Sequence, residues 1–215
     1  MMMKQVLNNY SGIGGNRLLW DNWNVEVTAI ENNPEIAKIY QEKFPNDKVV
    51  VIDAHEYLLQ HFKEFDFIWD SPPCQTHSQI RFNLGVRNRG TKPVYPDMNL
   101  YAEILLLQWY TLDTQIKWVV ENTRSFYDPL IKPQFVGSHY FWANYHIPEI
   151  DIGNRNHRNG TVETLQERKQ IDLTEYDIIG KRQLLRNCVE PELGLHVLNN
   201  AFKKTNTMES FIPRA

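Results

Sequence analysis

The sequence is poor in cysteine and lacks any long apolar run. Cys74 and Cys188 are the only two cysteines in 215 residues, too few for a disulfide framework and without the Cys-x-x-Cys spacing of a zinc site. The seven histidines show no His-x-x-x-His spacing either, so the sequence predicts no catalytic metal. Without a run of about 18 apolar residues or an apolar signal core behind Met1, we expect a cytoplasmic protein with no membrane contact.

The sequence also lacks a strong charge of either sign, internal repeats and low-complexity tracts. A net charge of −3 argues against a protein that coats nucleic acid indiscriminately, although a local basic surface can exist within an acidic total. The 42% of apolar and 23% of charged residues are typical of a globular protein. The length suits one well-buried catalytic domain with at most a small lobe.

Short apolar strands alternate with helix-like segments in the first half of the sequence. Strands are predicted at 4–10, 25–31, 49–53, 65–70 and 117–121, and helices at 34–44, 55–62 and 99–114, with another helix through Leu18, Leu19 and Trp20. This alternation predicts an α/β fold with a mostly parallel sheet and helices on both faces. Beyond residue 122 the pattern stops, and only a strand-like segment at 136–145 and a closing helix at 191–203 are predicted.

Polar residues end the predicted strands. Tyr10, Glu31, Asp53 and Asp70 hold these positions, and ligands of open α/β sheets bind beyond the carboxyl ends of the strands. The glycines in Tyr10-Ser11-Gly12-Ile13-Gly14-Gly15 let the backbone approach a ligand closely, although a plain tight turn has the same composition. Glu31 lies where dinucleotide-binding folds place an acid for ribose hydroxyls. Asp53 is placed either for an adenine amino group or as a helix N-cap.

Two further strands are followed by reactive groups. Cys74 follows Pro72 and Pro73, which stiffen the backbone, so we interpret it as a positioned nucleophile rather than an inert buried thiol. Glu121 follows the apolar strand residues Trp118, Val119 and Val120, and its expected desolvation raises the pKa of its carboxyl. Together they predict a nucleophile and a general acid facing one crevice.

In this order the motifs resemble those of the C5-cytosine DNA methyltransferases. The resemblance rests on Tyr10-Ser11-Gly12-Ile13-Gly14, Glu31, Asp53, Pro72-Pro73-Cys74-Gln75 and Glu121-Asn122-Thr123, and at the C-terminus on 182–191, which is similar to a late segment that completes the family's cofactor pocket. It therefore spans almost the whole chain. It implies a Rossmann-like methyltransferase fold. It also implies S-adenosylmethionine as the cofactor, which the reaction converts into S-adenosylhomocysteine.

The resemblance also implies roles for individual residues. Cys74 would add to cytosine C6 while Glu121 interacts with N3, on a base flipped out of double-stranded DNA. The implied cofactor residues are Tyr10, Ser11, Gly12, Ile13, Gly14, Glu31, Asn32, Asp53, Ala54, Asp70, Pro72, Asn187 and Val189. The implied substrate residues are Gln75, Arg81, Arg87, Arg89, Asn122, Arg155 and Arg158, with Lys92 as another cation of the polar connection at 71–97. Any one of these cations could instead be a solvated loop charge.

Two departures from the family pattern affect the substrate side. The family's Gln-x-Arg-x-Arg segment, whose arginine contacts cytosine O2, is missing, and His139 in Gly137-Ser138-His139-Tyr140-Phe141-Trp142 stands where an arginine is expected. His139, Arg155 or Arg158 is the candidate replacement. The space for target recognition is also short. We assign 1–144 to the catalytic and cofactor-binding core, 145–181 to a reduced recognition region, and 182–215 to a segment that returns to the core.

Two alternative functions remain open at this point. An RNA cytosine-5 methyltransferase is one, although the Cys-Phe-Thr tripeptide of the lineage that methylates transfer RNA is absent. A non-catalytic relative that binds cofactor or DNA is the other, and the presence of both Cys74 and Glu121 argues against it. The small size suggests a phage- or prophage-encoded enzyme. The sequence leaves open the recognised bases, the oligomeric state and any accompanying restriction nuclease.

Overall fold

The protein is described by a computed structural model that covers residues 2–153 and 160–203. Five strands pair in parallel with one another: β1 (Lys4–Asn9), β2 (Val25–Ile30), β3 (Lys48–Val50), β4 (Phe67–Asp70) and β5 (Lys117–Thr123). Strand β7 (His139–Ala143) lies antiparallel to both β5 and β6 (Gln134–Val136). Within the described residues they form one seven-stranded sheet in the order β3-β2-β1-β4-β5-β7-β6. The predicted α/β fold is confirmed.

The strand order reverses between β1 and β4. The chain moves outward from β1 through β2 to β3 and returns to β4 on the other side of β1. The register pairs Asn9 with Asp70 and Asp70 with Val120, so the carboxyl ends of β1, β4 and β5 lie side by side. Since ligands of such sheets bind at this reversal, the edge that follows Asn9 and Asp70 is the first place to look for a site.

Seven α-helices accompany the sheet in the described part of the chain. They are α1 (Pro34–Lys43), α2 (Ala54–His61), α3 (Gln79–Arg81, continued by a π-helical turn over Phe82–Arg87), α4 (Asn99–Tyr110), α5 (Val162–Lys169), α6 (Lys181–Asn187) and α7 (Pro191–Phe202). The start of α1 follows from local chemistry, because Asn33 accepts hydrogen bonds from the backbone of Glu35 and Ile36 while Pro34 occupies the first turn. Of these helices, none is long and apolar enough to cross a bilayer.

Apolar side chains cover both faces of the sheet. On one face α2 and α4 pack Leu58 and Ile104 against Ile68 of β4. On the other face α7 packs Leu193 and Val197 against strands β1, β4 and β5. Each such side chain contributes roughly 1.5–3 kcal/mol by leaving water. The two cores hold the strand ends rigidly, which is what a site built on those ends requires.

Two sequence-based predictions of local structure were wrong. The predicted helix through Leu18, Leu19 and Trp20 is instead a series of turns ending in a 3₁₀ turn at Trp20–Asn22. Trp20 is fully buried with its ring centroid 6.2 Å from Phe67 and 6.0 Å from Trp69, so packing rather than helix periodicity fixes this connection. The polar connection at 71–97, for which the sequence predicts neither a helix nor a strand, contains α3 and its π-helical continuation.

Candidate functional site

The loop after β4 holds Cys74 beside β5. From β5, the amide of Asn122 donates a hydrogen bond of 2.9 Å to the carbonyl of Pro72. The backbone amides of His77 and Ser78 both donate to the carbonyl of Cys74 at 3.0 Å. The half-buried Cys74 is thus fixed on both sides, and burial together with the charge of Glu121 raises the pKa of its thiol to about 11. The resting group is therefore a thiol.

Glu121 lies in β5 and directly follows Val120, the residue that pairs with Asp70 of β4. It is 7% exposed, and burial raises the pKa of its carboxyl to about 7, whereas a hydrogen bond from Ser71 opposes the rise. Ser71 Oγ donates to Glu121 Oε2 at 2.9 Å and accepts from the indole of Trp69 at 2.7 Å. The expected rise in the pKa of Glu121 is confirmed. Near neutral pH this carboxyl can either give or take a proton.

His139 lies next to Glu121. It pairs with Thr123 across β5 and β7, and its Nε2 is 3.8 Å from Glu121 Oε1. Ser138 Oγ lies 3.3 Å from its Nδ1. A protonated imidazole here would place a positive charge at the acid, in the position where the family resemblance expects an arginine. Arg155 and Arg158, the other two candidates for that role, lie outside the described residues.

A buried ion pair near Glu121 was missed by the sequence analysis. Lys169 Nζ lies 3.0 Å from Glu190 Oε1 and donates to the carbonyl of Cys188. The charge of Glu190 raises the pKa of Glu121, and that of Lys169 lowers it. The polar composition of α5 favours a solvent-exposed helix, which hid the full burial of Lys169. Only tertiary packing reveals that its charge acts on the acid.

The turn after β1 has the geometry of a ligand cradle. Tyr10 adopts a left-handed backbone with φ of 54°, a conformation that costs energy for a non-glycine residue and is concentrated at functional sites. Gly12 follows with φ of 53°, and a Cβ built there would meet nothing within 4 Å. The hydroxyl of Ser11 is buried and has no hydrogen-bond partner among the described residues. An open backbone with an unsatisfied polar atom beside it fits a ligand that can hydrogen-bond.

Two acids flank this turn. Glu31 accepts from the backbone amides of Gly12 at 3.1 Å and of Asn33 at 2.9 Å, and burial raises the pKa of its carboxyl. Each of its oxygens still has a lone pair for a hydroxyl group. Asp53 accepts from the amide of Glu56 at 3.0 Å, which confirms the N-cap interpretation, while its contact with adenine stays a prediction.

The C-terminal segment returns to the same turn. A Cβ on Gly15 would lie 2.7 Å from the Cβ of Cys188 and 2.8 Å from the carbonyl of Val189. Val189 is buried, whereas Asn187 is exposed and accepts a hydrogen bond from Gln183 at 2.6 Å. The segment therefore contacts the cradle, as expected for one that completes a cofactor pocket. Among the other predicted cofactor residues, Ile13, Ala54, Asp70 and Pro72 are buried and Asn32 is exposed.

The basic residues of the polar connection at 71–97, called the basic connection below, follow the Cys74 loop and contact it. Arg81 donates to the carbonyl of Gln75 at 2.9 Å, and Arg87 lies over the ring of Phe82 at 5.2 Å. Phe82 stacks on Phe126 with ring centroids 4.3 Å apart. Phe82, Phe126, Arg81 and Lys92 line a cavity of about 240 Å³. Gln75, Arg81, Arg87, Arg89 and Lys92 are exposed, whereas Asn122 is buried and its amide is used to hold Pro72.

The short region after β7 packs onto the core in its described part. Leu165 of α5 and Leu185 of α6 are buried with Ile171 against Ile13 and Ile39, next to the cradle. The assignment of 145–181 to target recognition stays a prediction. Within 2–153 and 160–203 no cluster of His, Cys, Asp and Glu could hold a metal ion.

The raised pKa of Glu121 predicts a measurable effect on stability. Its carboxyl stays protonated to about pH 7 in the folded chain but only to about its ordinary 4.5 when unfolded. The contribution of Glu121 to wild-type stability is therefore full below pH 4.5 and declines by about 3 kcal/mol as the pH rises through 7. Glu121→Gln has no such loss. The free energy of unfolding of this variant, measured by urea denaturation, should therefore increase relative to that of wild type between about pH 5 and pH 8. An advantage that stays constant with pH would contradict this account.

Comparison with known proteins supports the fold and the family resemblance. Residues 5–102 match the family model of the C-5 cytosine-specific DNA methylases. A variant of DNMT2 from Spodoptera frugiperda is 25% identical with a TM-score of 0.41, covering 57% of this chain and 36% of its own. The methyltransferase EhMeth of Entamoeba histolytica is 11% identical with a TM-score of 0.56, covering 94% and 98%. No curated protein matches the sequence.

The two kinds of comparison carry different weight. EhMeth shares the fold over almost its full length, and at 11% identity it shows nothing more. The chain spans about a third of the DNMT2 structure. The resemblance drawn from the motifs is confirmed by the family model over residues 5–102, which include the cradle, Glu31, Asp53 and the Pro72–Gln75 loop.

Proposed function

We propose that the chain transfers a methyl group from S-adenosylmethionine to carbon 5 of cytosine in DNA, because residues 5–102 match the family model of the C-5 cytosine-specific DNA methylases. One observation carries the proposal: Cys74 follows β4 and Glu121 lies in the adjacent strand β5, where its charge raises the pKa of the Cys74 thiol. A thiol and a buried acid with a pKa of about 7 are the two groups that cytosine chemistry needs in one pocket.

Cys74 and Glu121 have complementary roles in the proposed reaction. Cytosine C5 is a weak nucleophile until another nucleophile adds to C6. Cys74 as thiolate forms a bond from Sγ to C6. The electron pair of the C5–C6 double bond then shifts to C4–C5, and the pair of the C4–N3 double bond shifts to N3, which takes the proton of Glu121. C5 then has enamine character and can take the methyl group. Loss of the C5 proton to a base, return of the N3 proton to Glu121 and expulsion of Cys74 as thiolate restore the aromatic ring and both reacting groups.

The cradle after β1 is the proposed binding site of the methyl donor. S-adenosylmethionine, when bound, supplies an electrophilic methyl group. The open backbone at Gly12 and the unsatisfied hydroxyl of Ser11 support binding there, and the remaining lone pairs of Glu31 suit ribose hydroxyls. The Cys188–Val189 segment contacts Gly15 at the same turn, which supports a role for this segment beside the bound donor.

The basic connection is the proposed DNA contact. The target base must leave the helix to reach Cys74, and Arg81, Arg87, Arg89 and Lys92 would neutralise phosphates around it. Asn122 would act indirectly, by holding the Pro72 loop, rather than by touching the base. We retain residues 1–144 as the core, 145–181 as the recognition region and 182–215 as the returning segment.

Bisulfite sequencing tests the proposed function most directly. Expression in a methylation-free bacterial strain should leave a subset of cytosines protected in genomic DNA, and their flanking bases would give the recognition sequence. Parallel assays on duplex DNA and transfer RNA address the RNA alternative. Methylation of transfer RNA but not of duplex DNA would replace the proposed substrate, and binding of S-adenosylhomocysteine without methylation of either would indicate a non-catalytic relative.

His139 gives a prediction of its own. We propose that its imidazole, 3.8 Å from Glu121, supplies the hydrogen-bonding contact that an arginine supplies in the family. His139→Ala should lower kcat/KM by about tenfold to a hundredfold, and His139→Arg should restore most of it. The matched control is His146→Ala, which removes an exposed histidine of the same segment. Full activity of His139→Ala in single-turnover assays would remove His139 from the proposed site.

A further inference from the structure

A second buried carboxyl group lies under the cradle, outside the groups used above. Glu103 in α4 is fully buried, and it is the one acid in a helix whose other inward residues are mostly apolar. Burying a carboxylate without partners is strongly unfavourable. Its partners should therefore explain why it is there.

Three side chains from three other parts of the fold converge on Glu103. The hydroxyl of Tyr10 donates to Glu103 Oε1 at 2.5 Å, and Nδ1 of His55 lies 3.0 Å from the same oxygen. The carboxyl of Asp70 lies close enough for the charge of Glu103 to raise its pKa. Tyr10 starts the cradle, His55 lies in the first turn of α2, and Asp70 ends β4. Glu103 thus joins the elements that border the crevice.

The hydrogen-bond pattern assigns the proton between the two acids. Asp70 Oδ1 accepts from the amide of Asn9 at 2.6 Å, and Glu103 Oε1 accepts from Tyr10. The remaining oxygens, Asp70 Oδ2 and Glu103 Oε2, are both buried without a hydrogen-bond partner among the described residues. A hydrogen bond between two carboxyls needs one proton, and Glu103 already receives two other donors, so the proton belongs on Asp70 Oδ2.

We propose that Glu103 is a positioning residue of the methyl-donor pocket, an inference that rests on the proposed function. Its carboxylate anchors the strained Tyr10 and keeps Asp70 protonated and neutral. The other charged or titratable groups facing the pair are Asp53, Asp97 and His55. Burial and the neighbouring Glu103 charge both raise the pKa of Asp70, in agreement with this assignment.

Infrared spectroscopy of the chain without ligand tests the shared proton. At about pH 8.5 Glu121 is ionised, so the carbonyl band of a protonated carboxyl should come from Asp70 alone. We expect this band in wild type and its loss in Asp70→Asn. Glu103→Gln should also lose it, because an amide can donate to Asp70 Oδ2 and stabilise the ionised form. The control Glu64→Gln, at an exposed His61–Glu64 pair of 2.7 Å, should retain it.

Calorimetric binding of S-adenosylhomocysteine tests the positioning role without turnover. Glu103→Gln and Tyr10→Phe should each weaken binding about tenfold, the size expected for a lost hydrogen bond to a charged group, and Glu64→Gln should not. Unchanged binding by Tyr10→Phe overturns the inference, and so does a carbonyl band that persists in a folded Glu103→Gln variant. If Glu103→Gln does not fold, the binding measured for Tyr10→Phe decides alone. A wild type that binds no S-adenosylhomocysteine but shows the band would instead contradict the proposed function.

Discussion

Cys74→Ser should abolish methyl transfer, with a loss of at least about a thousandfold in rate. A serine hydroxyl has nearly the same shape but is a far weaker nucleophile, and its proton is much harder to remove. The backbone around position 74 is held by Pro72, His77 and Ser78, so the substitution should leave the fold intact. The measurement is incorporation of labelled methyl groups into duplex DNA, together with binding of S-adenosylhomocysteine, which should be unchanged.

The second cysteine provides the matched control. Cys188 has a pKa that burial likewise raises to about 11, but it lies against Gly15 rather than Glu121. Cys188→Ser should retain methyl transfer to within a few fold and should still form a stable covalent complex with DNA containing 5-fluorocytosine. Cys74→Ser should form none. A covalent complex in Cys74→Ser, or loss of the complex in Cys188→Ser, would reject the assignment of the nucleophile.

The strand ends were predictable from the sequence for a simple physical reason. Parallel strands buried on both faces are continuous apolar runs, and the first polar residue after each run marks the edge of the sheet. This located Tyr10, Glu31 and Asp70 at one edge, and Glu121 at the end of the neighbouring apolar run. The Asn33–Pro34 helix start was equally local, since the cap and the proline act within one turn.

The structural features that the sequence did not reveal depend on packing between distant segments. Trp20 belongs to an apolar cluster typical of a helix, yet its contacts with Phe67 and Trp69 determine a turn. Glu103 and Lys169 are charged, and charged side chains are normally exposed. Their burial follows from partners 93 and 21 residues away, Tyr10 and Glu190. Pattern reasoning within a window of one helix cannot detect such pairs.

The pH dependence of wild-type kcat/KM should rise about tenfold per pH unit below pH 7 and level off above it. The reaction needs a thiolate on Cys74 and a proton on Glu121. Between the pKa of Glu121 at about 7 and that of Cys74 at about 11, the prevailing form has the opposite arrangement. Both forms carry the same number of protons, so the reactive fraction is constant across this interval. Below pH 7 a second proton binds and removes reactive molecules, so the break belongs to Glu121.

Glu121→Gln should convert this profile into a different one. Without a titrating carboxyl, the reactive thiolate increases tenfold per unit through pH 7 and beyond, so the plateau disappears. The pKa of Cys74 should fall, because the charge of Glu121 is one cause of its rise, yet activity at pH 7 should drop by about a hundredfold or more for lack of the acid. His139 is the other group that could titrate near neutrality. His139→Gln should therefore keep the break near pH 7, and a break that moves with His139 but not with Glu121 would transfer the acid role to the histidine.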